Sequence, residues 1–414
     1  MRKVDVVVVG AGQAGLATSY YLTRRGIEHT VLERGDIPGD SWRSRRWDSF
    51  MLNGPNFSFD LPGYPYDGPE PDAFMARDEI VSRFGTYATR IAAPVQTQTA
   101  VLHLERAADG RYRATMTSGE IEARAVVVAT GAYQKRHRPP QTIDPAIVQM
   151  HTDQYRNPAG LPPGGVLVVG AGQSGCQVVE DLLAAGRPTW VSAGSCGWIP
   201  RRYRGQDNVR WRQQMGVFDD TVEQLGHSLR LACPPMQTGV GWDRDINLRT
   251  LRAQGATLLG RFLAADGFTA TFADDLNQSA ARSDEAAVRF RAQVDDFIAA
   301  NRIDAPTEPP IQPSTGLPEP PTTLDLKANN IATVIWASGF RLDFESWIAL
   351  PLNTVDGYPE QTQGVSRHAG LYFMGLQLMH TRKSGLIFGV GEDAAHVAQH
   401  VETYLSSGAS APIG

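Results

Sequence analysis

Cysteine is scarce in this chain: three residues in 414, Cys176, Cys196 and Cys233. They are too few and too scattered for a disulfide framework or a zinc site, and no C-x-x-C pair occurs. That usage points to a reducing, cytoplasmic setting. No apolar run approaches the roughly 18 residues that span a bilayer. The valines after Met1-Arg2-Lys3 stop at Gly10, too soon for a secretory leader. Neither sign of charge dominates, and a net charge of −5 with a pI near 6.0 gives nucleic acid or anionic membrane little footing. What is present is ordinary: 42% hydrophobic residues, 20% charged residues and 41 glycines. That composition suits an α/β protein of two or three domains.

Glycine is distributed with a purpose. Val6-Val7-Val8-Val9 runs into Gly10-Ala11-Gly12-Gln13-Ala14-Gly15, and Val166-Leu167-Val168-Val169 runs into Gly170-Ala171-Gly172-Gln173-Ser174-Gly175. Each copy reads as a buried strand, a tight glycine turn and a helix whose free N–H groups face an anion. The first glycine permits the turn, the second admits a pyrophosphate, and the third lets helix and strand touch. One such motif is weak evidence; two in strand–turn–helix context imply two dinucleotides, most economically a flavin and a nicotinamide.

The first unit continues as a helix over about residues 15–24, closed by Gly26, then a strand over 30–33. Residues 39–72 are irregular, a length that in a compact domain is usually functional. Residues 73–91 read as helix, 94–125 as a small antiparallel sheet, and 125–131 as a buried strand ending in a glycine turn. The second unit repeats the plan: strand 166–169, helix about 174–185, strand 189–192. An arginine-rich irregular stretch runs from Trp198 to about Trp242, then a hairpin-like segment over 257–272 and a helix over about 283–301. The proline-rich residues 305–322 read as a linker or surface loop rather than a strand or helix. A buried strand over 333–337 echoes 126–131, and a helix from about Glu392 closes the chain. The expected fold is therefore α/β, with two Rossmann-like dinucleotide-binding domains, one inserted into the other. The expected limits are 1–155 and 325–414 for the outer domain and 156–324 for the inner one.

Glu33 ends the second strand of the first unit, where a carboxylate holds a ribose 2′-OH. A free 2′-OH means FAD or NAD. FAD is favoured because Gly39-Asp40-Ser41-Trp42-Arg43 supplies an aromatic plane and a cation where a flavin would continue. In the second unit the strand ends at Ser192-Ala193, with no acid to repel a 2′-phosphate. Arg201, Arg202 and Arg204 follow a short loop later, with Arg187 just before the strand, which reads as an NADPH site. A solvated basic loop is the plainer alternative. Gln173 and Ser174 can donate to the pyrophosphate or merely begin the helix.

Taken together, these segments make the chain resemble the flavin-containing monooxygenases, in particular a bacterial subgroup of flavoproteins. The resemblance rests on both glycine motifs, Gly39-Asp40-Ser41-Trp42-Arg43, Arg46-Trp47-Asp48-Ser49-Phe50, Leu61-Pro62-Gly63, Ala129-Thr130-Gly131, Arg201-Arg202-Tyr203-Arg204-Gly205-Gln206-Asp207 and Ala337-Ser338-Gly339-Phe340. His151 and Tyr155 match the second half of the family fingerprint, while Pro145 and Ile147 depart from its first half. Tyr155 favours the N- or S-oxygenating branch over the Baeyer–Villiger branch. The resemblance implies FAD held by Gly10, Gly12, Gln13, Ala14, Gly15, Glu33, Arg34, Trp42, Arg43, Thr130 and Gly131. It implies NADPH held by Gly170, Gly172, Gln173, Ser174, Gly175, Ser192, Arg201, Arg202, Ser338 and Gly339, with no metal. It also implies O2 and a small N- or S-containing substrate, oxygenated through a C4a-hydroperoxyflavin with Asn53 as the catalytic amide. Asn53 and Asn56 serve equally well as turn residues beside Gly54-Pro55. A reductase or oxidase on the same scaffold, a Baeyer–Villiger enzyme and a non-catalytic flavin-binding accessory protein are the alternatives. A homodimer is left open.

Overall fold

The valine runs form the centres of two parallel sheets. A computed structural model describes residues 2–194, 196–241, 243–309 and 316–407. Strand Arg2–Val9 is almost wholly buried beyond its first turn and passes at Gly12 into helix Gln13–Arg24, which returns to strand His29–Leu32. The parallel part of the first sheet runs in the order Leu371–Phe373, Gly119–Val128, Arg2–Val9, His29–Leu32, Val95–Gln96, and Val365–Ser366 and Gln361–Thr362 extend it antiparallel beyond Leu371–Phe373. An antiparallel meander, Val101–Arg106 and Tyr112–Met116, extends from the start of Gly119–Val128.

The second sheet, Val148–His151, Ile331–Trp336, Gly165–Val169, Thr189–Ser192, Thr257–Leu259, is again all parallel and repeats this plan except at its edge, where Val148–His151 is the unit's first strand in the chain and not its last. Helix Gln173–Ala184 follows Gly165–Val169 as Gln13–Arg24 follows Arg2–Val9. Strands buried on both faces are what continuous apolar runs require.

The sheet pairing moves the expected domain limits. The strand expected to reopen the outer domain near residue 325 is Ile331–Trp336, and it pairs with Gly165–Val169 inside the inner domain. Val148–His151, placed in the outer domain by sequence, is the inner sheet's edge. The strands of the inner sheet therefore span Val148 to Trp336 in the chain, and the parallel part of the outer sheet is completed only by Leu371–Phe373. The presumed hairpin over 257–272 also divides. Thr257–Leu259 joins the parallel sheet, while Phe262–Gly267 and Thr269–Phe272 form an antiparallel pair in a separate small sheet. Helix Leu276–Asn301 begins seven residues before the expected 283. The linker's middle, 310–315, and Trp242 lie outside the described residues.

Residues 39–72 hold a short helix, Asp40–Ser44, and a single turn at Asn56–Ser58. Their aromatics pack inward, with Trp47, Phe50, Phe59 and Tyr64 all buried. Residues 210–220 lie across this loop and the late segment 376–385. Arg210 pairs with Asp72 at 2.8 Å, Lys383 with Asp219 at 2.6 Å, and Arg382 with Asp220 at 3.1 Å. Among the described residues no helix is long and apolar enough to cross a membrane.

Candidate functional site

The two glycine turns are built alike to a tenth of an ångström. Gly10 has φ 105° and Gly170 φ 109°, a region open to glycine but rare for other residues. A Cβ on Gly10 would lie 2.6 Å from the Ala129 carbonyl oxygen, and one on Gly170 would lie 2.6 Å from that of Ala337. A Cβ on Gly15 would fall 1.8 Å from the Gly10 oxygen, and one on Gly175 1.9 Å from the Gly170 oxygen. Here the expected turn and packing roles have a steric cause.

The turns differ at the glycine that faces the anion. Around Gly12 an added Cβ would meet nothing within 4 Å, so the first cradle stands open at the N-terminus of helix Gln13–Arg24. Glu33 closes its far side, its carboxylate accepting from the Ala11 and Gly35 amides at 2.8 Å each. An open turn, a helix N-terminus and a carboxylate fixed at the strand end are the groups an adenine dinucleotide uses. FAD fits these residues.

Beyond Gln13 the neighbouring side chains are aromatic. The Trp42 indole N–H donates to Gln13 Oε1 at 3.4 Å, and Gln13 Nε2 donates to the Gly385 carbonyl at 3.2 Å. The cation expected here from Arg43 comes instead from Arg46, whose guanidinium lies 5.3 Å from the Trp42 ring. Burial pushes the Arg46 pKa down. Arg43 turns outward to Asp40 at 2.6 Å and Asp36 at 2.8 Å, because two nearby carboxylates attract it more strongly than a ring does. Asn53 is half-buried. Its carbonyl accepts from Arg201 at 2.7 Å, while its side-chain amide has no hydrogen-bond partner among the described residues.

Beside Glu33 an open polar cleft of about 500 Å³ is lined by Arg34, Asp40, Arg45, Arg136, Asp153 and Arg156 among others. Burial would raise the Asp153 pKa, but hydrogen bonds from His151 and Arg136 outweigh it and hold the group at about 2. Sequence reasoning named Arg34 but missed the other three arginines, which three separate segments supply. Thr130 and Gly131 sit nearby, both holding the Gln134 amide, the threonine through its hydroxyl at 3.1 Å and the glycine through its carbonyl at 2.8 Å.

At the second cradle several expected contacts are otherwise engaged. Arg201 is buried at 1% exposure, paired with Asp207 at 2.7 Å and stacked 5.0 Å from Phe74. A guanidinium so held cannot grip a 2′-phosphate, and the assignment fails for Arg201. Arg202 donates to the Gly205 carbonyl at 2.8 Å, Arg204 pairs with Asp295 at 3.3 Å, and Arg187 donates to the Pro162 carbonyl. The buried Ser192 hydroxyl donates to the Gly260 carbonyl at 2.9 Å, which leaves its proton no second acceptor. Ser338 donates to the His137 carbonyl at 2.6 Å, and the Gly339 carbonyl lies 3.0 Å from His151 Nε2. His151 is thus a packed, partnered histidine, its ring 4.5 Å from that of Phe340. Tyr155 donates to Asp181 on helix Gln173–Ala184 at 2.6 Å, and burial drives its pKa upward, so it is held there as a neutral phenol.

Above Gly172 the space is taken. A Cβ there would lie 3.2 Å from Cys233 Sγ. The Gln173 amide is spent on the backbone of Gln237, accepting from its N–H at 3.0 Å and donating to its carbonyl. Cys233 lies 2.7 Å from Cys196, so two of the cysteines that the sequence spacing kept apart are neighbours. The Gly170-Ala171-Gly172 turn itself fits a pyrophosphate, provided segment 233–237 moves aside.

A family profile described as pyridine nucleotide-disulphide oxidoreductase matches residues 7–200. An uncharacterized CzcO-like oxidoreductase of Geobacillus kaustophilus is 30% identical over 405 residues, covering 96% of this chain and 98% of that protein. The indole-3-pyruvate monooxygenase YUCCA1 of Oryza sativa is 35% identical over 206 residues, 48% of this chain and 50% of that one. A flavin-containing monooxygenase from Stenotrophomonas maltophilia has the same fold, with TM-score 0.67 and 21% identity over 98% of this chain and 100% of that one.

Proposed function

The chain belongs to the CzcO-like oxidoreductase family, and from that premise, together with a fold shared with a flavin-containing monooxygenase, we propose that it is an FAD- and NADPH-dependent monooxygenase. The observation that carries the reading is the duplicated turn, with Gly10 against Ala129 and Gly170 against Ala337 at the same 2.6 Å. One dinucleotide cradle serves a flavin, and the second serves the nicotinamide that reduces it. Gly10, Gly12, Gln13 and Glu33 would hold FAD, and the Gly170-Ala171-Gly172 turn would hold NADPH. The absence of an acid at Ser192-Ala193 supports NADPH over NADH. Bound FAD would accept a hydride from NADPH and pass one oxygen atom of O2 to a soft nitrogen or sulfur of a small substrate.

The chain's own residues bind, orient and keep water out. Trp42, Phe50 and Arg46, packed on one another, would wall the flavin's far end, and segment 376–385 meets Gln13 through the Gly385 carbonyl. A dry chamber limits loss of the activated oxygen as H2O2. The unengaged amide of Asn53 can donate to an oxygen anion and accept from a flavin N–H, which is the donor set this chemistry needs.

The reading is tested on purified yellow protein. NADPH under anaerobic conditions is expected to bleach the flavin, and admitted air to restore colour with oxygen incorporated into a sulfide or amine probe. Flavin that never bleaches would refute the proposal. Asn53→Ala should leave the rate of bleaching intact while raising H2O2 released per NADPH several-fold; unchanged coupling removes Asn53 from the chemistry. Glu33→Gln should weaken FAD retention by about tenfold or more, through lost charge-assisted hydrogen bonds. Fluorescence titration of the stripped protein reads that change, and undiminished affinity would place the ribose elsewhere.

A further inference from the structure

Cys196 and Cys233 stand 37 positions apart in sequence, and their Sγ atoms lie 2.7 Å from one another. Cys196 is buried and Cys233 exposed. Their position is as telling as their contact. The middle glycine of the first turn faces open space, whereas that of the second faces Cys233 Sγ, 3.2 Å from where a Cβ would be. The thiol therefore occupies the place of a pyrophosphate. The rest of its segment is fastened down beside it. The Met236 amide donates to the Gly197 carbonyl at 2.8 Å, and the Gln237 amide to Gln173 Oε1 at 3.0 Å.

We propose that Cys196 and Cys233 are a site of oxidation by hydrogen peroxide, and that their disulfide fixes segment 233–237 across the second cradle so that no dinucleotide can enter. The nucleotide half of this proposal rests on reading that cradle as the NADPH site. In the reduced protein the segment is held by hydrogen bonds and can swing away, freeing Gln173 for the pyrophosphate. In the oxidised protein a covalent bond ties it to Cys196, at the end of the inner sheet.

The steps balance. Cys233 thiolate attacks one peroxide oxygen, an S–O bond forms, the O–O bond breaks and hydroxide leaves. The Cys196 thiol then attacks the sulfenic sulfur, an S–S bond forms, the S–O bond breaks, and hydroxide departs with the Cys196 proton as water. Two electrons pass from the two sulfurs to the peroxide oxygens, and the sum is two thiols and one H2O2 giving one disulfide and two waters. Uncoupled turnover of the proposed monooxygenase supplies the peroxide. Cys233 is the attacking thiol because it is exposed, and the hydrogen bond from Cys196 draws its pKa down. That same bond, together with burial, pushes Cys196 up, so it keeps its proton until the second step. Cys176 is a built-in control: it is fully buried, burial raises its pKa, and its thiol donates to the Ala171 carbonyl at 3.4 Å.

The test uses the full chain, reduced with dithiothreitol, desalted, and treated with stoichiometric H2O2. Thiol titration in denaturant is expected to fall from three to one, and non-reducing peptide mapping to join Cys196 to Cys233. Calorimetry with NADP+ should show affinity weaker by at least about tenfold in the oxidised form and restored by dithiothreitol. In Cys196→Ser and Cys233→Ser that affinity should ignore peroxide. Three thiols surviving peroxide would overturn the proposal. So would a disulfide that leaves a normal NADP+ affinity untouched, which sinks the gate alone. Reduced protein that takes up no NADP+ sinks the nicotinamide reading and the gate together.

Discussion

Gly12→Val should purify as a folded, colourless protein. The structure separates the two things a glycine does in this turn. At Gly12 the backbone is extended, φ −81° and ψ −169°, a conformation valine adopts freely, and a Cβ would touch nothing within 4 Å. The fold therefore has no reason to notice the substitution, and the melting temperature should stay near that of the parent stripped of flavin. A pyrophosphate laid on the helix N-terminus does meet the new methyls. Losing that approach should cost at least about 3 kcal/mol, roughly a hundredfold in FAD affinity. Gly15→Val is the contrasting control, because its Cβ would lie 1.8 Å from the Gly10 oxygen and helix and strand would have to part. That protein should misfold rather than merely lose colour. Flavin absorbance beside a thermal melt reads both outcomes; a yellow Gly12→Val protein would move the pyrophosphate off this turn.

Arg201→Met should destabilise the protein by about 3–5 kcal/mol, the usual cost of leaving one member of a buried ion pair alone. Its partner Asp207 is 2% exposed and also caps helix Asn208–Gln214 through the Val209 amide at 2.8 Å. With Arg201 gone the buried carboxylate loses its counterion, and the Asn53 carbonyl loses a donor. Arg201→Met combined with Asp207→Asn should recover much of the loss, since the amide oxygen still caps the helix without a charge. Urea unfolding of the two variants measures the difference. Preference for NADPH over NADH should not change. If it collapses while stability holds, Arg201 reaches the 2′-phosphate after all.

What could be read from the sequence was local. The strand–turn–helix units fall within two residues of their expected limits, because valine runs and glycine spacing act on neighbouring residues. Glu33 also stood at a fixed distance from its turn. The sheet partner of Ile331–Trp336 was not legible, because a strand buried on both faces looks the same in either domain. Arg201 was misread because a guanidinium suits a phosphate or a carboxylate equally. The available signal was Asp207, six residues on and across the short hairpin of Arg202–Tyr203 with Gln206–Asp207. The cysteine contact left no trace, since it depends on how an irregular 37-residue excursion returns.

The interleaving of the two sheets has a consequence for synthesis. The inner sheet holds its last strand once Trp336 has left the ribosome, whereas the outer one waits for Phe373. Vectorial growth normally lets the earlier part of a chain consolidate first. Here the later-starting unit is finished before the earlier one, and the nascent flavin half must stay open-edged along Gly119–Val128 until Leu371–Phe373 arrives beside it.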